Sequence, residues 1–313
     1  MARVAMPMWR VLLLLLWALC SLGAAQAGGV LIVSSDPSSA SYAEAADALC
    51  SALQLSGVRN ITQRDAKEIA AMDGSGAALP KVVVTLGAEG FRQVVARDLR
   101  VPVIAMLIPR QSFDSAVKLA GSKANGAVAL YLDQPIARQL DLLRLAFPSA
   151  KRVGVVWGPD SGGQQPAWQS AMRARALQEV PAYLSASTTL FDALQAALDD
   201  VQVLLALPDP QVYNPATIAN VLLTTYRARV PVVGFSPAMV NAGALMSVHT
   251  SSRQLGSQAA HMARQSLQGG VPPVSQYPVE FEVSVNTRVA RTLGLKLDAD
   301  DLSERLHKLE GKP

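Results

Sequence analysis

Residues suited to binding a small molecule recur at the ends of short apolar runs in this chain of 313 residues. Ser34, Ser35, Asp36, Ser39 and Tyr42 follow the first run, Gly87 and Ala88 the next, and Arg110 a third. Trp157 and Asp160, then Asp209, then Phe235 with Ser236 close three later runs. Hydroxyls and free N–H groups at a helix start receive an anionic group, a carboxylate receives an amine, and aromatic rings wall a small pocket. The expected arrangement puts an anionic end at Ser34 to Ser39, an amine at Asp209, and the ligand body between Tyr42, Trp157 and Phe235. Each has a competing role. The serines can cap helices, Trp157 can pack in a core, Arg110 can be a solvated loop charge, and Tyr42 is balanced between packing and contact. Trp157, as the last residue of its run, is expected at a cleft mouth, and Asp209→Ala is expected to spare the empty fold.

Nothing else in the chain asks for catalysis or a cofactor. His249, His261 and His307 are far apart and none has a second ligand at metal spacing. No G-x-S-x-G elbow occurs, no Cys–His pair is suggested, and no G-x-G-x-x-G follows a strand. Asp73-Gly74-Ser75-Gly76 lacks a following GK[ST] and reads as a loop. The expectation is a binding protein without enzymatic activity, metal or cofactor.

The elements that must position these residues are strands alternating with helices. Asp133 to Asp160 holds an amphipathic helix, a stop at Pro148, and the buried strand Val153–Trp157. The first half has already run the same program. Val30–Asp36 resembles Val153–Asp160, Lys81–Thr85 matches Val201–Leu205, and Arg100–Ile104 recurs as Arg229–Val233. The first and last pairs are offset by 153 − 30 = 123 and 229 − 100 = 129, so order and spacing persist. Two similar doubly wound parallel-sheet lobes follow, with right-handed crossovers. Helices are expected over Tyr42–Leu53, Gln169–Gln178, Pro215–Arg227 and Ser252–Gln268. Crossings between lobes are expected near Leu132-Asp133, His249-Thr250 and Glu280–Glu282. The lobes are then 28–132 with 250–280, and 133–249 with 281–313.

Half the residues are hydrophobic and only 17% charged, as in a globular chain. Arg3 and Arg10, the apolar Val11–Leu19 and Ala25-Gln26-Ala27 have the order of a cleaved secretory signal, residues 1–27. Leu19 before Cys20 disfavours the rival reading of a lipidated cysteine. Without Arg3 and Arg10 the net charge of +4 becomes 26 − 24 = +2, with no basic run to suit nucleic acid. Cys50 is then the only cysteine, so no disulfide can form within the chain. The expected product is a periplasmic monomer.

SSDPSSASYAEAADAL (34–49), ARQLDLLRLAFPSAKRVGVVWGP (137–159), RVPVVGFSPAMVNAGALMSV (229–248) and LGSQAAHMARQSLQGG (255–270) resemble ABC-transporter substrate-binding proteins of the periplasmic-binding-protein type I group. The likeness is to the branch that includes tryptophan and aromatic amino-acid binders. It implies a two-lobed receptor that hinges shut on a small molecule, an amino acid or similar organic anion, and delivers it to an inner-membrane ABC permease. It also implies cleft contacts at Ser34 to Tyr42, Trp157 to Ser161 and Asp209. Two segments depart from the pattern. Ala127–Leu132 lacks a T-G-x-S-like stretch, and Ser251–Gly256 lacks aromatic residues. A receptor-like module without its own permease is the alternative reading.

Overall fold

The computed structural model describes residues 29–71, 79–269 and 273–311. The expected signal segment with Cys20 and Gly28, and the loop at Asp73–Gly76, lie outside the described residues. The first described unit runs β1 (Val30–Ser34), α1 (Ala40–Leu55), β2 (Ile61–Asp65), α2 (Ala66–Ala71), β3 (Val82–Leu86), α3 (Gly87–Ala96), β4 (Val103–Ile108), α4 (Arg110–Ala120) and β5 (Val128–Tyr131). Its five strands are parallel, in the order β2-β1-β3-β4-β5. Every residue of β1, β3 and β4 is buried, which is why each reads as a near-continuous apolar run.

The chain then repeats the program with α5 (Ile136–Ala146), β6 (Arg152–Trp157), α6 (Gln165–Arg173), β7 (Gln178–Tyr183), α7 (Leu190–Ala197), β8 (Val203–Leu205), α8 (Ile218–Arg227), β9 (Val232–Gly234), α9 (Pro237–Ala242) and β10 (Met246–His249). After α10 (Ser252–Leu267) come β11 (Glu282–Val285), α11 (Thr287–Thr292) and α12 (Ala299–Leu309). The second sheet has the order β7-β6-β8-β9-β10-β11. Its first five strands match the first sheet position for position, so the molecule is two similar α/β lobes. The repeat extends to backbone detail. Arg100 and Arg229 of the two Arg-Val-Pro segments both take a left-handed conformation, φ 54° and 57°, where a helix gives way to a strand.

Two expectations need correction. The helix expected to reach Gln178 ends at Arg173, and residues 178–183 form β7, an edge strand paired with β6. Most of its side chains are partly or fully exposed and it contains Pro181, so it lacks the apolar signature of a central strand. The second sheet is also not purely parallel: β11 lies antiparallel to β10.

Helix α10 returns to the first lobe. Leu255, Ala259, Ala260, Met262 and Ala263 share a core with Ala45, Leu49 and Leu53 of α1 and with β1, β3 and β4. A side chain at Gly256 would collide with the Ala45 carbonyl and the Ala48 methyl, so glycine sets how closely these helices meet. Helices α5 and α12 instead pack with β6, β8 and β10 of the second sheet.

One buried network ties the crossing segments together. Arg138, 2% exposed, donates from Nε and Nη2 to the two Glu310 carboxylate oxygens at 2.6 and 2.8 Å. Its Nη1 donates to Gln134 Oε1 at 2.7 Å and to the Pro278 carbonyl at 3.0 Å. The guanidinium also lies 4.2 Å from the Phe281 ring centroid. Gln134 Nε2 donates to Thr250 Oγ1, which donates to the Glu280 carbonyl. Residues near 134, 250 and 278–281 are thereby joined to the C-terminal end of α12.

Candidate functional site

The carboxyl ends of both sheets face each other across a cleft, the usual ligand position for open parallel sheets. One cavity there, about 550 Å³, takes Pro109, Gln111 and Ser115 from the first lobe and Asp160, Gln164, Asp209, Tyr213 and Phe235 from the second. A cavity of about 270 Å³ lies toward the crossings and adds Gln134, Gln139, His249 and Thr250. The two share Pro109, Asp133, Pro208 and Phe235. A third, about 370 Å³, opens beside Arg110, Asp114 and Tyr277. The lobes touch across the mouth, where Gln164 Nε2 donates to Gln111 Oε1 at 3.2 Å. A β-bulge at Leu107, φ 52°, shifts the register of β4 just before Pro109 and Arg110 turn into this region.

Of the residues singled out in sequence, Asp160, Asp209 and Phe235 line the 550 Å³ cavity. Phe235 meets Tyr213 edge to face, centroids 6.0 Å apart, and Ser236 caps α9 by accepting from Met239 N. Asp209 is only 2% exposed and is occupied by its own chain. Its Oδ2 accepts from Asp160 N, Ser161 N and Ser161 Oγ at 2.8 to 3.1 Å, and its Oδ1 from Gln211 N at 2.9 Å. This carboxylate holds the β6 and β8 loops together. The expectation was a free amine acceptor whose loss the fold would tolerate; in this structure its oxygens are engaged by its own loops.

Trp157, expected at a cleft mouth, is buried. It is 1% exposed, packs in the second-lobe core, and donates its indole N–H to Glu179 Oε1 at 2.5 Å. Arg110 points to the side of the cleft: Nη1 donates to Tyr277 Oη at 3.0 Å, and Nε lies 3.5 Å from Asp114 Oδ2. The Tyr277 hydroxyl, the nearest acceptor, raises its pKa above the ordinary value.

The remaining residues form a separate group that lines none of these three cavities. Ser35 Oγ donates to the Leu86 carbonyl at 2.6 Å and accepts from Gly90 N at 2.7 Å, stitching β1 to α3. Gly87 has φ 84°, and a side chain there would strike Ser35 Oγ and the Tyr42 hydroxyl. Burial pushes the half-buried Tyr42 hydroxyl upward in pKa. Asp36 Oδ1 accepts from Ser38 Oγ at 2.6 Å and Ser38 N at 3.2 Å, and the Ser38 hydroxyl holds this exposed carboxyl below its usual range. Ser39 stands at the N-cap position of α1 without a side-chain cap bond, Ala88 packs against the first-lobe core, and Ser34 Oγ is buried without a partner.

Sequence reasoning missed Asp133, Tyr213 and His249 as cleft residues. Asp133 accepts from Arg110 N at 2.5 Å, and burial, the largest influence, raises its carboxyl above the usual range. The buried Tyr213 hydroxyl has no hydrogen-bond partner among the described residues, and burial raises its pKa. Burial lowers the pKa of His249 despite Glu282 Oε2 at 3.8 Å. A usable signal existed for two of them: His249 ends an apolar run and Asp133 begins a crossing segment.

A family model described as ABC transporter substrate binding protein matches residues 78–306. No curated protein matches the chain. Among solved structures, a substrate binding protein with adhesive properties from Clostridium difficile, in a ligand-free, open structure, superposes with a TM-score of 0.67 at 15% identity, covering 88% of this chain and 97% of that one. The ABC domain from Streptococcus pneumonia in complex with L-Trp gives 0.61 at 17%, covering 88% and 98%. A conserved domain protein from Vibrio cholerae gives 0.61 at 18%, covering 88% and 97%. At these identities the likeness is one of fold.

Proposed function

Because this chain belongs to the ABC transporter substrate-binding protein family, we propose that it captures a small molecule, an amino acid or a related solute, between its lobes for delivery to an ABC importer. The observation that carries this reading is the cleft itself: contiguous cavities of about 550 and 270 Å³ at the strand ends, built from both lobes. Closure is a hinge motion of 28–132 with 250–280 against 133–249 with 281–313. The protein acts as a periplasmic monomer, exported by the signal at 1–27. Of the sequence-derived contacts, Asp160 and Phe235 touch the ligand. Ser34 to Tyr42, Gly87 and Ala88 act at the cleft entrance, as closure brings the strand ends together.

Thermal-shift screening of the exported protein with amino acids and amines tests this. A ligand at 100 times its Kd stabilises by about 2.7 kcal/mol. Ser115→Trp, which projects a ring from α4 into the cavity, is expected to abolish the shift. A shift that persists in that variant refutes capture in the cleft.

A further inference from the structure

Charge within the cleft is one-sided. Among the described residues the 550 Å³ cavity is lined by Asp133, Asp160 and Asp209 against one cation, Arg92, so the formal sum is 1 − 3 = −2. Arg92 is already held by Glu89 Oε2, at 2.7 Å from Nη2 and 3.1 Å from Nε. Asp209 is satisfied by four donors from its own loops. Asp133 differs. It stands where the two cavities meet, and its hydrogen-bond donors are backbone N–H groups, those of Arg110 and of Asp133 itself, with the Arg110 charge acting on it from outside ion-pair distance. The Arg110 guanidinium is directed to Tyr277 and Asp114 instead. A half-buried carboxylate facing a cavity without a cation in ion-pair contact is costly in the empty protein, and a ligand cation relieves that cost.

We propose that the cleft selects an organic cation, whose protonated amine is held by Asp133 with Asp160 across the cavity, and that a carboxylate on the ligand is dispensable. This rests on the capture reading above and names its ligand class. The walls beside Asp133 suit such a ligand: Phe235 and Tyr213 present aromatic surface to a cation, and Pro109 and Pro208 to its apolar stem. A bare metal ion is a poor fit, since no group of three or more His, Cys, Asp or Glu side chains among the described residues could hold one. The group Ser34 to Ser39, where an anion was expected, lies outside these cavities, and Ser35 and Asp36 are engaged by Leu86, Gly90 and Ser38.

The test is calorimetric titration of the exported protein with tryptamine, agmatine and cadaverine as cations, L-tryptophan as zwitterion, and indole-3-propionate and glutarate as anions. At least one cation is expected to bind, and neither anion. Asp133→Asn keeps the acceptor for Arg110 N, so it is expected to weaken cation binding at least thirtyfold while the empty variant melts no lower than the parent. Cation affinity within twofold of the parent in Asp133→Asn overturns the assignment. Anion binding without cation binding overturns the ligand class and leaves capture standing; failure of all six compounds overturns both.

Discussion

Glu310→Ala removes the carboxylate facing Arg138 and leaves a guanidinium buried to 2% exposure without its counter-charge. Two charge-assisted hydrogen bonds, 2.6 and 2.8 Å, are lost together. Each contributes about 1.5–3 kcal/mol, and breaking a buried pair by removing one partner typically costs about 3–5 kcal/mol. Glu310 is itself 18% exposed, so water reaches the vacated position and the low end applies. We expect about 3 kcal/mol of destabilisation, on the order of 6–12 °C in Tm for a unit of this size. Urea denaturation followed by circular dichroism measures it. Arg138→Met costs a similar amount for another reason: it orphans Gln134 Oε1 and the Pro278 carbonyl. The double variant loses no more than either single variant, because the charge that was left unpaired is gone. A coupling energy below about 0.5 kcal/mol would refute the claim that this pair closes the crossing network.

Asp209→Ala should lower the stability of the empty protein by about 3 kcal/mol, since four donors, two of them buried, lose one acceptor group; a Tm unchanged by the substitution returns Asp209 to the role of a free ligand contact. Gly87→Ala should destabilise by about 2–3 kcal/mol through left-handed strain and collision with Ser35 and Tyr42, read from the urea midpoint, and an unchanged midpoint contradicts the packing described. Burial lowers the His249 pKa below its ordinary 6.5, so the unfolded chain takes up a proton that the folded chain refuses as pH falls through 6.5. Stability should therefore decrease on acidification from pH 7 through that value, and His249→Gln should flatten this part of the Tm–pH profile; parallel profiles for parent and variant would exclude His249 as the cause.

The repeated βα program was legible because a strand buried on both faces is apolar at most positions, a property written locally in β1, β3, β4 and β6. The edge strands β2 and β7 are largely exposed and carry no such run, so pairing rather than composition defines them. Helix α10 was legible as an amphipathic helix, but its seat on α1 came from three-dimensional closeness at Gly256.

For the site, the sequence named residues at strand ends, and the structure distributes them between a cleft wall and the lobe interiors. Adjacent side chains of a strand point to opposite faces, and that alternation, fixed by pairing, turned Trp157 into the core. Asp209 was visible as a strand-end carboxylate, yet three of its four donors come from residues 160 and 161, some 50 positions earlier, and only folding delivers them. Asp133, Tyr213 and His249 lie far apart in sequence and come to line adjoining cavities only in the folded chain. Periodicity and burial are local constraints that a sequence carries openly. Which carboxylate stays without a counter-charge depends on contacts between distant segments, and the tertiary structure alone decides it.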